Sequence, residues 1–335
     1  MRRLRGLLVP GLVLCSVLTG QADFDSLRNE SWVKNIGVDE NELKFKSDTF
    51  DVMDYGASND GIFITTSGIQ AAIDHCTQSG GGVVVIPKGM YLTGSLFIKS
   101  NVHLHFADSA ILLASTDLHD FREQKTRIAG IEMTWPMAIL NAVDADNIKI
   151  SGKGIVEGRG RTYWEKFYAM KPIYEQNDLR WILDYDCKRP RSLVVQNCTN
   201  VLLSDITLKE SPFWTVQILY SQHVTVRGIT ILNNENGHGP SSDGINVDSS
   251  ADVLVENNHI DCNDDNLCIK SGRDADGMRV GIPCENVVIR NNKTGKGSGL
   301  ITLGSEVSGG IRNIYVYGLK GNGTNRGIRM KSARN

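Results

Sequence analysis

The sequence predicts an all-β chain, a single-stranded right-handed parallel β-helix with a short N-terminal capping helix. Three observations carry that prediction. A phrase of one polar residue, then Val or Ile, then alternating β-formers recurs along the chain. It appears as Asn101-Val102-His103-Leu104, Asn147-Ile148-Lys149-Ile150, Asn200-Val201-Leu202-Leu203 and His223-Val224-Thr225-Val226. It returns as Asp252-Val253-Leu254-Val255, Asn286-Val287-Val288-Ile289 and Asn313-Ile314-Tyr315-Val316. The last five apolar anchors are spaced by 23, 29, 34 and 27 residues, an irregular period that fits stacked coils with loops of variable length. The predicted strands are short and the turns are rich in Asn and Gly. A sandwich would instead join longer alternating strands by hairpin turns, and a leucine-rich repeat would space its leucines more strictly.

In chain order, residues 1–22 read as a secretory leader. Arg2, Arg3 and Arg5 form the basic end, Gly6 to Leu18 the apolar core, and Gly20-Gln21-Ala22 a small-x-small cleavage site. The expected product is exported, with no membrane partner once the leader is gone, because no later run approaches the ~18 apolar residues of a spanning helix. Residues 23–50 are weakly patterned and read as a lead-in strap, and residues 51–335 as the β-helix. Ile69, Ala72, Ile73 and Cys76 follow helical spacing from Thr66 and predict the capping helix. Gly80-Gly81-Gly82 ends it, and Val83 to Ile86 begins a buried strand. Six cysteines remain after the leader, each within or beside an apolar run, where a free thiol behaves as a small buried hydrophobe. No Cys-x-x-Cys pair occurs, so no zinc site is expected, and no cofactor or metal is invoked. The formal net charge of −2 leaves no basic footprint for nucleic acid, so an acidic ligand would have to be recognised locally.

Candidate chemistry gathers between Ser241 and Gly272. Asp243 and Asp264 lie 21 positions apart, about one coil, and Asp265 follows at once. Stacked rungs stand about 4.7–4.9 Å apart, so three carboxyls would crowd one patch. Crowding raises the pKa of at least one and leaves a partner ionised, the division that acid–base hydrolysis requires. Asp264 and Asp265 are consecutive, and both face one cleft only where the strand is interrupted. Arg329 and Lys331 share a strand face, with Met330 between them expected to point into the core, and the two cations suit a carboxylate ligand. Trp135, Trp164, Trp181 and Trp214 are candidates for stacking on sugar, each with core packing as the competing reading.

These motifs resemble glycoside hydrolase family 28, the polygalacturonase-like pectinases, and are most similar to the bacterial type. Tyr55-Gly56-Ala57, Asp60-Gly61, Gly80-Gly81-Gly82 and Tyr91-Leu92-Thr93-Gly94 match a pattern shared among pectin-acting β-helices. The family's Asn-Thr-Asp stands here as Ser241-Ser242-Asp243, its Asp-Asp as Asp264-Asp265, its Gly-His-Gly as Gly297-Ser298-Gly299 and its Arg-Ile-Lys as Arg329-Met330-Lys331. The resemblance implies an inverting hydrolase of α-linked galacturonosyl bonds, a monomer acting on pectic polysaccharide or oligogalacturonide. Asp264 would be the general acid, with Asp243 and Asp265 holding and deprotonating water. Arg329, Lys331, Ser298 and His238 would contact substrate, although His238 stands out of the family order and reads first as a loop residue. Ser298 replaces the family's histidine, which keeps rhamnogalacturonan hydrolysis open as a second reading. A calcium-dependent lyase and a non-catalytic glycan-binding β-helix are further alternatives. Family members continue for several coils beyond the basic motif, so the resemblance also implies a shortened C-terminal end.

Overall fold

Every recurring phrase begins at a left-handed residue. The angle φ is 64° at Asn101, 56° at Asn147, 57° at Asn200 and 51° at His223, then 55° at Asp252, 52° at Asn286 and 55° at Asn313. Left-handed backbone crowds Cβ against the following carbonyl, and Asn and Asp tolerate it best after glycine. The polar head of the phrase is therefore a corner, and the Val or Ile after it enters a strand.

The computed structural model describes residues 30–235 and 237–332, so the leader predicted at 1–22 lies outside the described residues. The chain winds as a right-handed parallel β-helix of three sheets, with nine, eight and nine strands. All seven phrases fall in one nine-stranded sheet. One coil runs through Ile245–Asp248, Ala251–Glu256 and His259–Asp261, and Leu267–Lys270 then stacks on Ile245–Asp248 to begin the next. Inward side chains meet their counterparts coil on coil: Val201 pairs with Val224, Val224 with Val253, and Val253 with Val287. All four are fully buried in one continuous apolar column. Asn258 and Asn292 extend this stacking to polar groups. Asn258 Nδ2 donates to Asn292 Oδ1 at 2.9 Å, and both amides also bond backbone carbonyls, so neither is orphaned in the interior.

The capping helix is Thr66–Gln78, and it buries Ile69, Ala72, Ile73 and Cys76, the positions its spacing indicated. Gly81, at φ 100°, follows it, and a Cβ there would lie 2.5 Å from the carbonyl oxygen of Asn101. All six described cysteines are free and buried. Between residues 30 and 50 the strap lies across the phrase-bearing sheet. Val33 and Ile36 pack on Leu254, Val288 and Tyr315, and Thr225 Oγ1 donates to the Val38 carbonyl at 2.8 Å.

Several elements have no counterpart in the sequence reading. An antiparallel hairpin, Glu123–Ile128 with Ile131–Pro136, and the helices Arg161–Gln176, Leu183–Asp186 and Asp274–Val280 are inserted between coils. They account for the wide and uneven gaps between phrases. The hairpin covers the outer face of the eight-stranded sheet, where Arg127 is fully buried and bonds Asp248 at 2.8 Å and Ser249 Oγ at 2.7 Å. Met330, expected in the core, stands opposite Leu303 on the inward row but is 57% exposed, because no described coil stacks on Ile328–Met330.

The corner geometry is testable at Asn200. Asn200→Val should lower stability by about 1–2 kcal/mol, because a β-branched side chain is strained in the left-handed region. Asn200→Gly should stay within about 0.5 kcal/mol of the parent, since glycine adopts that region freely. Urea denaturation midpoints distinguish the two; equal losses would refute the corner account.

Candidate active site

The eight-stranded sheet carries the site on its outer face. Its strands Val216–Leu219, Ile245–Asp248 and Leu267–Lys270 are buried on both faces, inwardly by the core and outwardly by the inserted segments. Polar side chains on the outer row thus lie in a partly enclosed cleft rather than in open solvent. A cavity of roughly 770 Å³ opens there, and Asp243, Asp264, Asp265, Ser298, Arg329 and Lys331 all line it. His238 does not: it is exposed on its loop, and its carbonyl accepts from the Tyr168 hydroxyl at 2.8 Å.

The register corrects one detail of the sequence reading. Ile245 pairs with Leu267, and the ladder continues backwards as Gly244 N donates to the Asp265 carbonyl at 3.0 Å. Asp265, rather than Asp264, therefore stands one coil above Asp243. The strand is interrupted at residues 262–266, which carry no strand hydrogen-bonding pattern, and this bend brings both consecutive acids to the cavity. The turn bearing Ser298 holds it, since Ser298 N donates to the Asp264 carbonyl at 2.8 Å. The flanking glycines allow this close approach. A Cβ on Gly297, at φ 147°, would lie 2.2 Å from Asn266 Nδ2, and one on Gly299 would lie 2.8 Å from Asp265 Oδ1.

Arg329 and Lys331 already have a carboxylate partner. Lys331 Nζ bonds Asp265 Oδ2 at 2.6 Å, and Arg329 Nη1 bonds Asp265 Oδ1 at 3.4 Å. The basic pair thus positions and neutralises the fully buried Asp265 before any ligand arrives. A bound carboxylate would share these cations with it.

Three further residues complete the site. Lys270 is buried with its ammonium 2.9 Å from Glu306 and 3.5 Å from Asp243, over the face of Trp214 at 4.6 Å. Arg273 bonds Glu306 at 2.9 Å and the Tyr185 hydroxyl at 2.9 Å. Lys270 had a legible signal: it follows Cys268 by two on an otherwise apolar strand and so shares the outer row. Glu306 and Arg273 sit in connecting segments with no periodic pattern to mark them.

The electrostatics divide the acids. Burial pushes the Asp243 carboxyl up to about 8, Lys270 offsets part of this, and the charges of Asp264 and Asp265 add to it. Burial and then the neighbouring Asp265 charge also raise Asp264. Glu306 goes the other way. Its burial disfavours the charge, but Lys270 and Arg273 outweigh that and hold it down to about 2. Lys270 lies nearer to Glu306 than to Asp243, which explains why it charges the former and compensates the latter only in part. The site thus combines protonated and cation-bound carboxyls within one cavity, the pairing that proton donation and proton acceptance at a glycosidic bond require. Among the described residues, no three His, Cys, Asp or Glu side chains form a metal-holding group.

A model of the glycosyl hydrolases family 28 matches residues 76–335. The chain belongs to that family. It is 30% identical to a probable polygalacturonase of Vitis vinifera over 84% of this chain and 56% of the relative. It is 26% identical to an exo-poly-alpha-D-galacturonosidase of Dickeya chrysanthemi, over 84% of this chain and 52% of the relative. The chain thus spans about half the length of these curated relatives. Among solved structures, a hyperthermoactive exopolygalacturonase of Thermotoga maritima superposes with a TM-score of 0.78 at 27% identity, covering 89% of this chain and 71% of that one. A Yersinia enterocolitica family 28 exopolygalacturonase gives 0.73 at 25%, covering 86% and 56%.

The raised Asp243 has a consequence for stability. A carboxyl whose folded pKa exceeds its unfolded value makes the folded state bind more protons, so stability falls as pH rises from about 4 to about 8 and then levels off. Asp243→Asn removes that cost. Its stability relative to the parent should be greater at pH 8 than at pH 5 by more than about 1 kcal/mol, measured by urea unfolding. A difference independent of pH would show that Asp243 ionises normally in the folded chain.

Proposed function

We propose that this member of family 28 is an exported hydrolase of α-linked galacturonosyl bonds in pectic polysaccharide, acting with inversion and without a cofactor. The observation that carries the reading is the convergence of Asp243, Asp264 and Asp265 in one cavity, with Arg329 and Lys331 on Asp265. Asp264 is the general acid. It is only half-buried, so it can meet a leaving-group oxygen, and its raised pKa keeps a proton available. Asp265 and Asp243, stacked on successive coils, hold the attacking water, and Asp265 with its two cationic partners is the member suited to accept its proton. The substrate's carboxylate meets Lys331 and Arg329, which it shares with Asp265.

The names of the curated relatives and superposed structures agree with a polygalacturonic substrate. Ser298, at the position of the family's histidine, favours comparing a second pectic polymer, since a hydroxyl cannot carry the charge an imidazole can. Export rests on the leader read in residues 1–22. The described residues contain no helix long and apolar enough to cross a membrane.

Reducing-sugar release from polygalacturonate and from rhamnogalacturonan tests the reading. Asp264→Asn should lower the rate by about three orders of magnitude on the preferred polymer, the scale of losing a positioned general acid. The activity should also fall on the alkaline side, as Asp264 loses its proton. Undiminished release by Asp264→Asn, or none by the folded parent on either polymer, would overturn the assignment. Greater release from rhamnogalacturonan would transfer the same acids to that substrate.

A further inference from the structure

Resting on that reading of the substrate, we propose that Arg180 and Trp181 form a separate uronate-binding subsite at the rim of the same cavity. The indole stacks on a pyranose ring and the guanidinium takes that sugar's carboxylate.

The four tryptophans considered for sugar stacking divide sharply. Trp135, Trp164 and Trp214 are at most 3% exposed, whereas Trp181 is 63% exposed and lines the cavity. The flat apolar face of a sugar is a fitting cover for such a ring, because stacking buries apolar surface without stripping the hydroxyls of water. Leu179 and Ile182 beside it are also exposed over a little less than half their surface, so the tip of this loop presents apolar surface that the fold itself leaves uncovered.

Charge gives the second, independent observation. Five cations line the cavity: Arg180, Lys270, Arg273, Arg329 and Lys331. Lys270 and Arg273 are held by Glu306, and Arg329 and Lys331 by Asp265. Arg180 forms no ion pair among the described residues. Its partner is the Trp181 ring, with the guanidinium carbon 4.7 Å from the ring centroid. That contact orients the guanidinium over one indole face and leaves its in-plane donors free. A planar fork of donors is suited to bidentate carboxylate binding. Polygalacturonate carries a carboxylate on every sugar, so a ligand engaged at the acids still needs charge recognition further along its length.

The loop is anchored at its base. Leu183 and Cys187 are buried with Phe167, and Asp184 bonds Arg189 at 2.6 Å and accepts from Ser241 Oγ at 2.9 Å. Ser241 lies two residues before Asp243, so the anchor ties the loop directly to the catalytic coil. A held base with an exposed Arg–Trp tip limits the ordering cost of binding.

Binding to a catalytically silenced Asp264→Asn parent separates this inference from the reading beneath it. Calorimetric titration would use tetragalacturonate and its methyl ester, with Arg180→Gln and Trp181→Ala added to that parent. Arg180→Gln should weaken the free acid about tenfold while leaving the ester little changed, as expected for loss of a charge-assisted pair. Trp181→Ala should weaken both about tenfold through loss of stacking. Unchanged melting temperatures establish that the exposed substitutions leave the fold intact. Parent-like affinity in both variants overturns the subsite while the pectic reading stands, and equal weakening of acid and ester by Arg180→Gln overturns its carboxylate role. A folded parent that binds neither ligand overturns both the subsite and the pectic reading.

Discussion

The site depends on one constraint: charge gathered on the outer face of a buried sheet must be compensated where it stands. Asp243, Asp265, Lys270 and Glu306 are each at least nine-tenths buried. Isolated ions there would cost several kcal/mol each. The fold meets this by interleaving signs across coils. Lys270 faces Asp243 and Glu306, Arg273 adds to Glu306, and Lys331 and Arg329 face Asp265. Compensation is unequal, and that inequality separates the acids. Glu306 has two close cations and stays ionised. Asp243 shares a more distant one and is driven towards its protonated form.

Parallel stacking makes such a network possible. Register between coils aligns residues far apart in the chain, so Thr302 pairs with Arg329 and Cys268 with Thr302. The corners that maintain this register are the left-handed residues heading each phrase. Inserted segments then turn an exposed sheet face into a cleft. The hairpin reaches over as Arg273 N donates to the Gly130 carbonyl at 2.8 Å, and Tyr185 bonds the Ala129 carbonyl at 3.0 Å. The solenoid supplies position, and the insertions supply enclosure.

Much of the fold was legible because its signals are local. The left-handed corner selects Asn or Asp, the strand selects Val or Ile after it, and the helix Thr66–Gln78 repeats apolar residues every three or four positions. The hairpin and later helices were not, because they interrupt the repeat and pack on single coils, although Tyr163, Trp164 and Phe167 do follow helical spacing. The site was partly legible. Short motifs drew attention to Asp243, Asp264, Asp265, Ser298, Arg329 and Lys331, which share the cavity. Lys270 is marked only by its place on the outer row of an apolar strand, two residues after Cys268. Glu306 and Arg273 have no such mark, and His238 had proximity in sequence without a place in the cleft.

By itself, then, the sequence determined the coil, its cap and the residue types brought to one face, since these follow from backbone preference and periodicity over a few residues. Tertiary structure decided which groups meet. Asp243 stands under Asp265 because of the ladder register, and the basic pair is engaged by Asp265 because Arg329 and Lys331 occupy the outer row two coils above it. Of four tryptophans alike in sequence, only Trp181 remained open, because burial depends on which inserted segments cover which coils. Local preference is written along the chain; pairwise distance is set by stacking and is absent from any single stretch of it.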